Sequence, residues 1–138
     1  MMVVEYWLPL MLWVGLTYFF STDNFSAGAT SRFIVPILKF ILPSLSGDQL
    51  NLGHLVVRKL GHISEYFVLA VLVYRAVNFS QPDFVRVKLN SFGFVLFAAM
   101  NDEFHQSFTL YRGASIVDVG YDCLGGFLAL WLISRFDR

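Results

Sequence analysis

Four stretches of this chain run for close to twenty residues with few charges, and they constrain the fold more than any other feature. They cover residues 3–20, about 60–77, about 89–108 and 116–134. Crossing ~30 Å of hydrocarbon takes about 20 apolar residues in a helix, so each is long enough to span a bilayer. The whole chain is 57% hydrophobic and 14% charged, whereas a soluble domain carries about a quarter charged residues. The reading is an all-α membrane protein: one domain over residues 1–138, built as a four-transmembrane-helix bundle. For the first stretch the rival is a cleaved leader with its cut near Ala27-Gly28-Ala29. That stretch lacks a basic start and carries Glu5 instead, so it reads as a retained span.

Residues 31–53 behave differently. Pro36 suits a first helical turn and Pro43 would end that helix two turns later, too short to cross. Arg32 and Lys39 flank Phe33, Ile37, Phe40 and Ile41. The segment 31–45 therefore reads as a short interfacial or re-entrant helix between spans one and two. Residues 78–88 form a polar connection. Lys/Arg and Asp/Glu balance at 10 each, so bulk charge gives no reason to expect nucleic acid as a partner. Cys123 is the only cysteine, which excludes an internal disulfide and suggests a packed thiol.

The polar residues inside the spans are not scattered. At 100° per residue, Arg58, Lys59, His62, Glu65 and Tyr66 of the second span fall within an arc of about 120°. Asp102, Glu103 and Gln106 share a face at the end of the third. Ser115, Asp118 and Asp122 stack at the start of the fourth and lead into Gly125-Gly126, where small side chains allow a neighbouring helix to come close. Ser115-x-x-Asp118 also reads as a helix start, with Asp in the place usually held by Glu. His105 lies off the line of Asp102 and Gln106 and is expected to cap the helix or face the interface.

Consecutive spans alternate in direction, so the start of span two, the end of span three and the start of span four meet at one membrane face. Charges in lipid are costly and are expected to pair within the bundle or around a wet cavity. If Arg58, Lys59 and Arg112 belong to that cavity, the remaining basic residues are uneven. Arg75, Arg86, Lys88, Arg135 and Arg138 outweigh Arg32 and Lys39, which places both termini in the cytoplasm and the pocket at the outer face.

The same residues carry a resemblance. Lys59-x-x-His62-x-x-x-Tyr66, then Asp102-Glu103-x-x-Gln106, then Arg112-x-x-Ser115-x-x-Asp118 and Gly125-Gly126, in that order and spacing, resemble the VanZ-like family over roughly residues 58–130. Leu110-Tyr111 stands where the family usually has Pro-Gly before the Arg. The family is named for an accessory protein of bacterial glycopeptide resistance linked to teicoplanin. The resemblance implies a multi-pass protein of the bacterial cytoplasmic (inner) membrane acting in the cell envelope; it supplies no reaction.

Two functions follow from the residues, beside the plain one that the charges only lock helices together. In the first, the pocket binds an anionic or amphipathic envelope molecule, a membrane lipid or lipid-linked precursor head group. Arg58, Lys59 and Arg112 would hold its phosphate or carboxylate, with Tyr66, Gln106, Ser115 and Asp118 completing the lining. In the second, the protein is a hydrolase or transferase: Asp102 or Glu103 works as acid/base opposite His62, and the cations steady negative charge. No metal or other cofactor is expected, since no His-Glu-x-x-His pattern occurs and Glu103 and His105 do not face together on a helix. The alternative is Mg2+ held by Asp beside a phosphate substrate.

Overall fold

A computed structural model describes residues 2–80 and 83–136; Arg138, counted toward the orientation, lies outside them. Among the described residues are five α-helices and no strand: α1 (Met2–Phe20), α2 (Ala27–Ile41), α3 (Gly47–Ser80), α4 (Phe84–Gln106) and α5 (Ile116–Phe136). A short 3-10 turn, Asp23–Phe25, joins α1 to α2. The expectation of an all-α chain holds. Among the described residues, two helices are long and apolar enough to cross a membrane, Gly47–Phe79 and Ile116–Phe136.

Element boundaries correct the sequence reading in three places. Helix α2 starts at Ala27, capped by Ser26 accepting from the Ala29 amide at 3.3 Å, so Pro36 lies inside it and not in its first turn. At 15 residues it reaches about 22 Å, still less than the hydrocarbon thickness. Helix α3 begins at Gly47 rather than near Leu60 and runs for 34 residues, about 51 Å. Its start is a capping box. The Ser46 amide donates to Gln49 Oε1 at 2.9 Å, and the Gln49 amide donates to Ser46 Oγ at 3.4 Å. Two orphan donors are thereby satisfied at once. The polar connection of 78–88 also shrinks, because Asp83 caps α4 by accepting from the amides of Val85 and Arg86 at 3.1 and 3.2 Å.

Helix α3 is the hub and contacts each of the other four helices, while α4 and α5 pack on it and on each other. The buried face of α4 reads Val87, Ser91, Val95, Ala99, Glu103 and Gln106. This is a stripe at near-helical spacing that stays on one side while its chemistry changes from apolar to polar. On α5 the corresponding stripe is Val119, Asp122, Gly125, Gly126, Ala129 and Leu130. The glycines act as the sequence implies. A Cβ on Gly125 would run into the Ile63 main-chain carbonyl of α3, and one on Gly126 would stand 2.7 Å from Val95 Cγ1 of α4. The closest approach of α3 and α5 depends on the missing side chain.

Many large apolar side chains also stand on the outside. Phe40 is 87% exposed and Ile116 83%, and Met11, Leu12, Phe33, Leu89, Phe97 and Phe104 also stand outward. Patches of this extent mark contact with lipid or another apolar partner rather than with water.

Candidate functional site

The middle of α3, where the sequence suggests the start of a span, meets the end of α4 and the start of α5 at one end of the three-helix seam, and the residues sort into an acidic layer and a basic rim. The acidic layer lies between the helices. Asp122, fully buried on α5, is hydrogen-bonded through Oδ1 to His62 Nδ1 of α3 at 2.9 Å. Asp102 of α4 reaches the same spot: His62, Asp102 and Asp122 each offer a ligand-type atom, all within 4.8 Å of one another. Gln106, one turn further along α4, donates from Nε2 to Asp102 Oδ2 at 2.8 Å.

Glu103 takes over a role that the sequence gives to Asp118. Its Oε2 accepts from the main-chain amide of Ser115, the residue before α5. A Glu does the same in a capping box, but here it comes from another helix. Asp118 is thereby released from capping, and its carboxylate forms an ion pair with Lys59 of α3. The Lys59 Nζ also lies 5.2 Å from the Tyr121 ring centroid.

The basic rim faces the other way, toward the chain between α1 and α2. Arg58 donates from Nη1 to the Phe25 carbonyl at 2.8 Å and to Thr30 Oγ1 at 3.1 Å. Arg112 donates from Nη1 to the Phe20 carbonyl. Neither guanidinium forms an ion pair with a carboxylate among the described residues. The ion pair of this site is Lys59–Asp118, with His62 hydrogen-bonded to Asp122, while Asp83–Arg86 belongs to the first turn of α4 at that helix's other end.

Arg58 and Arg112 line one cavity of about 460 Å3, together with His62 and Glu65 and the apolar walls Trp13, Phe20, Phe25, Ile34, Val57 and Val68. Glu65 forms no ion pair with either arginine among the described residues. Three buried polar atoms of the site have no hydrogen-bond partner: Glu103 Oε1, Arg112 Nε and Asp122 Oδ2. Buried polar groups are nearly always satisfied, so three orphans in one site call for a water, proton or ligand.

Of the residues singled out from the sequence, His62, Asp102, Glu103, Gln106, Ser115, Lys59 and Asp118 gather around the α3–α4–α5 seam. Tyr66 is buried beside them and borders a smaller cavity with Asp102. An Arg112–Asp102 pair is not formed, because Arg112 turns to a main-chain carbonyl and Asp102 to Gln106. His105, expected at a cap or the interface, shares a hydrogen bond with Ser21 Oγ at 3.0 Å, and its ring lies 4.3 Å from that of Tyr18.

Several contributors escape a reading of the sequence. Thr30 joins Arg58 to His54, whose Nε2 lies 3.1 Å from Thr30 Oγ1. Asp23 accepts from the amides of Leu110 and Tyr111 at 3.4 and 3.0 Å, tying the loop before α5 to the turn before α2. A proline at 110 would have no amide to give. No local pattern marks these links, since each joins residues far apart in the chain.

A family model described as VanZ/LLP1 matches residues 6–137, nearly the whole chain. No curated protein and no solved structure matches it.

Proposed function

This chain belongs to the VanZ/LLP1 family, and we propose that it is a multi-pass membrane protein whose cavity binds the anionic head group of an envelope lipid or lipid-linked precursor. The observation that carries the reading is the pair of guanidiniums. Arg58 and Arg112 border one cavity with apolar walls, held in place by main-chain carbonyls and without a carboxylate ion-pair partner among the described residues. Two cations without a direct ion-pair partner in a largely apolar cavity suit an anion, and an arginine fork suits phosphate or carboxylate. The apolar walls suit the acyl or prenyl chain attached to it. Arg112 Nε, buried and unpartnered, is a donor such a head group would satisfy.

In this reading α1, α3, α4 and α5 span the bacterial cytoplasmic membrane, and α2 lies at the outer interface with Phe33, Ile37 and Phe40 in the lipid. Both termini are cytoplasmic. An influence on glycopeptide susceptibility of the teicoplanin type would follow from occupying or presenting an envelope precursor. Labelling of single cysteines in a Cys123→Ser background tests the orientation: position 47 should react from outside and position 86 only from the cytoplasm, and the reverse pattern overturns it.

The binding test uses detergent-purified protein and native mass spectrometry with phosphatidylglycerol against phosphatidylcholine. Wild type should retain the anionic lipid preferentially, and Arg58→Gln and Arg112→Gln should each lose that preference. Equal retention of both lipids by wild type would reject the proposal. A second reading, an acid/base enzyme on a phosphate-bearing substrate, is favoured by one contact: His62, which lines the cavity, is oriented by Asp122. It predicts turnover that disappears in His62→Gln while lipid retention persists.

A further inference from the structure

We infer that His62, Asp102 and Asp122 form a site for a divalent first-row cation, of the Zn2+ or Mn2+ kind, where α3, α4 and α5 meet. Each helix contributes one ligand, and the three ligand-type atoms lie within 4.8 Å of one another. Ligands about 2.1 Å from a metal stand up to ~4.2 Å apart, so small side-chain adjustments close the set. No local motif encodes the arrangement, because no two of the three residues belong to the same helix.

A second observation points independently to an occupant. Asp122 is fully buried, yet its Oδ2 has no hydrogen-bond partner. Its Oδ1 is engaged by His62 Nδ1, so the orphan oxygen is the one available to a cation. A carboxylate oxygen in a dry interior is costly to leave unpaired. The charges agree. Lys59 is taken by Asp118, and both arginines face the cavity carbonyls. Two carboxylates beside a neutral imidazole carry the charge that one divalent ion cancels.

The surroundings support the ligands as those of a metal site do. Gln106, itself buried, donates to Asp102 Oδ2 at 2.8 Å and fixes that carboxylate's orientation. The imidazole decides the class of ion. Mg2+ and Ca2+ prefer all-oxygen shells and more ligands, whereas mixed imidazole and carboxylate donors suit Zn2+ or Mn2+.

The test uses the full chain in detergent, freed of tags and lipid, stripped with a chelator and titrated with Zn2+ or Mn2+ by calorimetry, with elemental analysis after dialysis. Stoichiometric metal and a raised melting temperature are expected for wild type. Asp102→Asn should abolish stoichiometric binding, and Gln106→Leu should weaken it by about 10–100-fold. Asp83→Asn, at the far end of α4, should bind as wild type does. Asp102 is only partly buried, so its variant keeps the test decisive if Asp122→Asn fails to fold. Metal absent from wild type, or held equally by Asp102→Asn, overturns the inference. Because no lipid is present, neither outcome depends on the head-group reading.

Discussion

The acidic layer and the basic rim lie side by side but solve their electrostatics in opposite ways. The layer leaves Asp122 and Glu103 oxygens unsatisfied inside the helix seam, while the rim ties Arg58 and Arg112 through Nη1 to carbonyls along a cavity wall and leaves Arg112 Nε as its one orphan among the described residues. Among the described residues only Lys59–Asp118 joins a lysine or arginine to a carboxylate across this site. A network built solely to lock helices would neutralise arginine with aspartate. Here the contacts that bring helices together are of another kind, at Gly125, Gly126 and the apolar stripes. Assembly and charge are therefore separable, and substitutions at four places probe that separation.

The largest effect is expected in the dry layer. His62→Leu leaves the Asp122 carboxylate without its partner, and the loss should be about 3 kcal/mol, at the low end for breaking a buried pair because Asp122 can take up a proton. Chemical denaturation of the metal-free protein measures it. Adding Asp122→Leu should recover part of the loss, since replacing both members removes the orphan. Failure to recover would mean that His62 acts through packing and not through its partner.

Gly125→Ala comes next, at about 1–3 kcal/mol, the usual range for overpacking. The added methyl meets main chain on α3, which cannot turn aside, whereas at Gly126 it meets the Val95 side chain. Gly126→Ala should thus cost less, and equal losses would show that helix approach is not set where the structure places it. Glu103→Ala follows. It removes a cap on the Ser115 amide, worth about 0.5–2 kcal/mol, and hydrogen exchange in the first turn of α5 should rise selectively.

How much of this is legible in the sequence depends on whether a feature is periodic. The helical class and the Gly125-Gly126 contact come from patterns along single helices, and the convergence of three polar clusters from the alternating direction of consecutive helices. Ser46-x-x-Gln49 is a local signal for the early start of α3, but charge and proline content draw attention to residues 31–45 instead. Other features have no signal to read. The Phe20 and Phe25 carbonyls that hold the arginines are main-chain groups, common to every residue. Glu103 capping α5 splits a local motif between two helices, so spacing alone gives Asp118 a role that a distant residue performs.

The smallest stability change is expected where the functional consequence is greatest. Arg112→Gln gives up a charged hydrogen bond to the Phe20 carbonyl, but the group borders a cavity and its carbonyl partner can be rehydrated. A charged hydrogen bond contributes about 1.5–3 kcal/mol, and rehydration at the cavity brings the loss down to about 1 kcal/mol, below that at His62. Membrane abundance and melting temperature should stay near those of wild type while retention of anionic lipid disappears. Arg112→Lys keeps the charge but not the planar fork, and should restore binding only in part. If abundance collapses in Arg112→Gln while lipid retention per molecule is unchanged, the rim is scaffold, and the difference between rim and layer is one of burial alone.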